Sequence, residues 1–197
     1  MILRDEQEGR ELLVEYGKKL LAENLAQGTY GNLSVRLDDQ FMLCTPSGMD
    51  YQHLKPEDMV KVNIRNLSFE GALRPTTERR IHAGIYVRRP KIGAVVHTHS
   101  KYCCIFAVAR MPVQIENPDL AAGLGDVIPV ADYGLPGSRA LTSRVIASLA
   151  DATGCILSNH GMIAVGADLF QAFERAKKIE QAATEYIDRR WETSLGR

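Results

Sequence analysis

A gap of three residues constrains the fold most. Leu33 to Leu37 and Phe41 to Cys44 are short, largely apolar runs, and only Asp38, Asp39 and Gln40 separate them. Parallel strands need a crossover of about a dozen residues or more, so these two pair as an antiparallel hairpin. Met59 to Ile64 alternates apolar and polar, as a half-buried strand does. Ile92 to His99 is rich in Ile and Val and reads as a further strand. Val127 to Val130 reads as another. Cys155 to His160 reads as a strand that runs through Gly161 into Met162 to Val165. Helical spacing covers Asp5 to Ala26, with Leu12, Leu13, Tyr16, Leu20, Leu21 and Leu25 on one face. A helix starts at Pro75, Thr76, Thr77 and Glu78, with a threonine at its N-cap, runs through Val87, and ends before Pro90. Further helices are expected near Tyr102 to Ala109, over Ser138 to Ala150, and over Asp168 to Trp191. The pattern predicts an α/β fold: three layers, α/β/α, with a central, largely antiparallel sheet covered by helices on both faces. At 197 residues, one domain spanning 1–197 is expected.

Lys and Arg number 24, as do Asp and Glu, so the formal net charge is zero and no nucleic-acid partner is indicated. No apolar leader and no long uncharged run is present, so neither export nor a membrane span is expected. Cys44, Cys103, Cys104 and Cys155 lie in apolar contexts without C-x-x-C spacing. They read as free thiols of a cytoplasmic protein.

Three of the five histidines end apolar runs. His97 and His99 are two apart on a strand, so their rings share a face. His160 is a third candidate. Three neutral imidazoles hold a divalent metal and leave a coordination position open, as catalytic zinc sites do. Mn2+ or Co2+ can substitute, because imidazole discriminates weakly among them.

Two glycine-containing loops, Gly28 to Asn32 and Thr45 to Gly48, lie at strand ends. Each is either an ordinary turn or a source of N–H and O–H groups for an oxyanion. Thr76 and Thr77 stand at a helix N-terminus, which favours an anion. Glu78 follows them, as a capping carboxylate, a general acid/base or a fourth metal ligand. His82, one turn on, reads as a packed histidine that fixes the helix.

Taken together, Gln27 to Ser34, Thr45 to Gly48, Pro75 to Glu78 with Arg80 to His82, Val95 to His99 and Asn159 to Gly161 resemble the class II aldolase and adducin head-domain family. The resemblance runs from about Asp5 to Arg190. It implies zinc on His97, His99 and His160, and Glu78 as the acid/base. It implies a substrate phosphate among Asn32, Ser47, Gly48, Thr76 and Thr77. The implied reaction cleaves a ketose 1-phosphate, of the L-fuculose 1-phosphate kind, to dihydroxyacetone phosphate and an aldehyde through an enediolate. The family also implies a homotetramer with sites at subunit interfaces. Its other branches are a methylthioribulose-phosphate-type dehydratase, a 4-epimerase and a non-catalytic, adducin-like interaction domain. The chain departs from family aldolases where they orient the aldehyde. It reads Ile115 to Asp119 where they carry a tyrosine, has Pro136 in place of an aromatic residue, and stops at Arg197 without their tyrosine-bearing tail.

Overall fold

The computed structural model describes residues 5–195. A seven-stranded sheet has the order β3-β2-β1-β4-β9-β8-β7. Its strands are β1 (Asn32–Arg36), β2 (Phe41–Cys44), β3 (Val60–Asn63), β4 (Ala94–Thr98), β7 (Val130–Ala131), β8 (Gly154–Leu157) and β9 (Gly161–Gly166). All neighbours are antiparallel except β7 and β8. The expected β1–β2 hairpin forms, because Asp38 Oδ1 accepts from the N–H groups of Gln40 and Phe41 and closes the turn.

Alternation along the strands divides the core in two. Val96 and Ala94 face α1 (Glu6–Ala22), α3 (Lys101–Ala109), α4 (Pro118–Leu124) and α6 (Leu169–Ser194). Val95 faces α2 (Arg79–Arg88) and α5 (Arg139–Leu149) on the other side. Leu13 and Leu20 of α1 are fully buried, each worth about 1.5–3 kcal/mol of apolar burial. Asp5, Ser138 and Asp168 cap α1, α5 and α6 with their side chains. The three-layer expectation holds.

Four local expectations need correction. The first helix stops at Ala22, not Ala26. Asn24 turns left-handed (φ 56°), and Leu25 N–H bonds back to the Leu20 carbonyl. Leu25 is still buried, so its apolar spacing marked burial and not helix. Val127 to Val130 is not one strand. Pro129 has no N–H and divides it: β6 (Val127–Ile128) pairs with β5 (Val113–Gln114), and β7 pairs with β8. The segment 155–165 is not one strand either. Asn159 adopts φ 56° and the chain reverses, so β8 and β9 form a hairpin with His160 in its turn. Finally, α2 starts after Glu78 and not at a threonine cap.

Candidate metal centre

Four side chains converge where β4 ends and α2 begins. His97 lies on the same side of the sheet as Val95, facing α2, and is buried. His99 stands just past the end of β4, His160 comes from the β8–β9 turn, and Glu78 immediately precedes α2. His97 Nε2 is 2.8 Å from Glu78 Oε2 and 2.9 Å from His99 Nε2. His160 Nε2 is 3.3 Å from Glu78 Oε1. The three rings stand edge to face, with centroids 4.8, 4.8 and 5.0 Å apart. One ligand atom from each of the four residues lies within 4.8 Å of the other three.

Local features impose this geometry. His97 Nδ1 donates to the Met162 carbonyl at 2.9 Å, which leaves the Nε2 lone pair aimed at the cluster. A Cβ on Gly161 would strike the Thr98 carbonyl and the rings of His97 and His99, so only glycine lets the hairpin approach. Glu180 of α6 takes the N–H groups of Tyr102 and Cys103 and the Ser100 hydroxyl, which anchors the backbone beside His99. Thr76 Oγ1 accepts the Glu78 N–H at 3.2 Å, before the helix begins. The Glu78 carboxylate makes no cap bond and is left for the histidines.

The charges follow from burial and proximity. Burial drives the rings of His99 and His160 towards the neutral form, reinforced by His97, with pKa values pushed down to about 3 and about 4. Burial also opposes charge on His97, but the charge and hydrogen bond of Glu78 outweigh it and hold His97 above its ordinary value. Burial would raise the Glu78 carboxyl. His97, His160 and the Asn32 amide overcome that and keep it well below the usual carboxylate range. Glu78 Oε1 and His160 Nδ1 are buried without a hydrogen-bond partner among the described residues. With its Nδ1–H committed to Met162, His97 satisfies Glu78 through a proton on Nε2, the position that a bound cation would take instead. Three imidazole nitrogens and a carboxylate fit zinc or a similar divalent ion.

The remaining expected residues gather nearby. Thr76 N–H bonds to the Thr45 carbonyl at 3.0 Å and Ser47 N–H to the Arg74 carbonyl at 2.9 Å, which zips the loops at 45–48 and 74–77 together. Thr76 is buried, whereas Ser47, Gly48 and Thr77 are exposed. The hydroxyls of Ser47 and Thr77 and the amides of Gly48 and Thr77 make no internal bond among the described residues. Asn32 opposes His97 in the strand register, and its amide turns to Glu78 and His82. The sequence reading missed Tyr30, which stacks on His99 at 5.6 Å, and Tyr51, whose hydroxyl ties down the Gly31 carbonyl. An exposed aromatic between Gly28 and Gly31 was the available signal for Tyr30. Nothing local marked Glu180.

This architecture has known counterparts. A profile described as the Class II Aldolase and Adducin N-terminal domain matches residues 11–187, and the chain belongs to that family. It is 33% identical over 177 residues to the 5-methylthioribulose-1-phosphate/5-deoxyribulose-1-phosphate aldolase of Rhodospirillum rubrum, covering 90% of this chain and 79% of that one. It is 36% identical over 163 residues to the L-fuculose phosphate aldolase of Escherichia coli O6:H1, covering 83% and 75%. A solved L-fuculose 1-phosphate aldolase superposes with a TM-score of 0.88 at 31% identity, over 96% of this chain and 88% of that one. Within the family the chain is a metal-dependent aldolase, a carbon–carbon lyase.

Proposed function

We propose that the protein is a zinc-dependent aldolase that cleaves a ketose 1-phosphate to dihydroxyacetone phosphate and an aldehyde. The observation that carries this reading is the convergence of His97, His99 and His160 on Glu78. His97, His99 and His160 would hold zinc, which would supply a Lewis acid for the oxygens of the substrate's hydroxy-ketone, and Mn2+ or Co2+ would be an acceptable substitute.

The residues of the chain do the rest. Glu78 is held ionised and moves the proton at the carbon where the bond breaks. Ser47, Gly48, Thr76 and Thr77 take the phosphate at the N-terminal end of α2, supported by the hydroxyls of Ser47 and Thr77 and the amides of Gly48 and Thr77, which make no internal bond among the described residues. Asn32 joins them through its second Nδ2 hydrogen, the first being on Glu78. Binding at this remote group orients the reacting carbons.

The enzyme works in the cytoplasm as a homotetramer with sites at its interfaces. Ile105 and Val108 of α3 are 46% and 70% exposed, on the helix that follows His99, and form an apolar face for a neighbouring subunit. A monomer mass by light scattering at micromolar protein would contradict this.

The deciding experiment combines metal analysis with a substrate screen. L-Fuculose 1-phosphate, 5-deoxyribulose 1-phosphate and 5-methylthioribulose 1-phosphate are incubated with the metal-loaded protein, and dihydroxyacetone phosphate is assayed against loss of water. The expected result is about one zinc per chain and release of dihydroxyacetone phosphate from at least one ketose. Loss of water alone would make the protein a dehydratase, and absence of bound metal would remove the site.

A further inference from the structure

A buried line of hydrogen bonds runs from Glu78 into the core. Glu78 Oε2 lies 3.0 Å from Asn32 Nδ2, and Asn32 Oδ1 lies 2.6 Å from His82 Nε2. His82 Nδ1 is 2.7 Å from Ser34 Oγ, which is 2.7 Å from the Tyr86 hydroxyl. Asn32, Ser34, His82 and Tyr86 are all buried.

The direction of this line follows by elimination. An ionised carboxylate only accepts, so the amide nitrogen of Asn32 faces Glu78 and its oxygen faces His82. His82 Nε2 therefore carries a proton. Burial keeps the ring neutral, with its pKa pushed down to about 3. Nδ1 is then bare and takes the Ser34 proton, and the Ser34 oxygen is left to accept from Tyr86. Every donor points towards Glu78.

A side-chain amide is nearly symmetric in shape, so sterics alone do not stop Asn32 from flipping. A flipped amide puts oxygen against the Glu78 carboxylate at one end and N–H against the His82 N–H at the other. The first contact is repulsive whichever nitrogen of His82 carries the proton; the second is repulsive while the proton sits on Nε2, where it bonds to Asn32 Oδ1 and leaves Nδ1 to accept from Ser34.

We propose that His82 is a positioning residue that holds the Asn32 amide and thereby fixes the Glu78 carboxylate for proton transfer, with Ser34 supporting the ring at its other nitrogen. This rests on the reading of Glu78 as the acid/base. Tyr86 has a lesser part, since Ser34 can donate to His82 without it.

The first test is 15N-histidine NMR of the metal-loaded wild type. His82 should read as neutral with its proton on Nε2. A proton on Nδ1, or on both nitrogens at neutral pH, overturns the proposal. The second test is steady-state kinetics of two variants. In His82→Gln the amide nitrogen reaches Asn32, whereas in His82→Asn the shorter amide reaches only Ser34. His82→Gln should keep kcat within about threefold of wild type. His82→Asn should lose about 10- to 100-fold in kcat, the range for a lost hydrogen bond on a line that ends at a charged group. KM should rise no more than about two- to tenfold, because the Asn32 amide also serves the phosphate, and metal content should not change. Equal kcat in the two variants, or losses that track melting temperature alone, overturns positioning. Should His82→Asn not fold, Ser34→Ala replaces it: the ring loses the bond on its Nδ1 but keeps its Nε2 proton on Asn32, and kcat should fall severalfold at unchanged metal content, whereas an unchanged kcat counts against positioning through the ring. The NMR needs no substrate. A folded wild type inactive on every ketose phosphate sinks the proposed function and leaves the tautomer result standing.

Discussion

His97 and Gly48 stand at the two ends of the proposed site and are held by different means. His97 is in the middle strand of the sheet, between Asn32 and Ile163 in register, with its ring tethered to Met162. Ser47, Gly48 and Thr77 sit on exposed turns joined by backbone bonds between loops. A divalent ion needs nitrogens placed to within a few tenths of an ångström, which strands provide. A phosphate needs many donors around a diffuse charge, which paired loops provide. The metal end should therefore be intolerant of small changes and the anion end forgiving.

The sharpest break of that contrast removes a ligand or crowds one. His97→Ala should lose most of its zinc when wild type and variant are compared at equal protein concentration. Gly161→Ala removes no ligand, yet its methyl meets the rings of His99 and His97 at 2.9 and 3.3 Å. Overpacking of this kind costs about 1–3 kcal/mol, so metal affinity should fall as well. Full zinc occupancy in Gly161→Ala would show that the metal end is not held tightly.

Glu78→Gln comes next. The variant should stay folded and metal-bearing, with turnover at least ~10²-fold lower, the lower end of what loss of a general acid/base costs. Exchange of solvent deuterium into the carbon of dihydroxyacetone phosphate should fall in parallel. Exchange at the wild-type rate would take Glu78 out of the proton path.

Acid should destabilise the metal-free protein. His82 is buried neutral, with its pKa depressed from 6.5 to about 3. Its stabilising contribution is complete above about pH 6.5 and is lost as pH falls, because the unfolded chain binds the proton more readily. His99 and His160 act in the same direction, and His97, which is raised, acts against them. Each fully buried neutral ring adds a slope of up to about 1.4 kcal/mol per pH unit. Urea midpoints of chelator-treated protein should fall from pH 7 to pH 5. A flat profile would mean that these rings are not held neutral.

Most of the fold was legible because periodicity is local. The hairpin at Asp38 to Gln40 and the branched run into His97 declare themselves within a few residues. The reversal at Asn159 escaped because Cys155 to Val165 is apolar on both sides of its turn, and apolarity does not say where a buried strand folds back. The helix at Pro118–Leu124 is too short to show a 3.6-residue period. The gathering of Asn32, Ser47 and Thr76 was visible through family likeness alone. Glu180 and the His82 line were not visible, because each depends on which distant side chain the packed helices bring into reach.

The smallest effects belong to the loops, and they test whether the anion end is as forgiving as it looks. Ser47→Ala and Thr77→Val each remove one hydroxyl from a set that also includes backbone amides. One neutral donor among several is worth about 0.5–1.5 kcal/mol, so KM for the phosphorylated substrate should rise about two- to tenfold with kcat little changed. Gly48→Ala meets no atom within 4 Å, but its φ of 71° costs a side chain roughly 1–2 kcal/mol. It should shift KM by a similar amount and leave zinc occupancy untouched, the reverse of Gly161→Ala. Phosphoglycolohydroxamate, which offers the metal and the loops one group each, should inhibit far better than its dephospho form. Equal inhibition by the two, together with unchanged KM in all three loop variants, would mean that these loops take no phosphate and that the contrast between the two ends has no functional content.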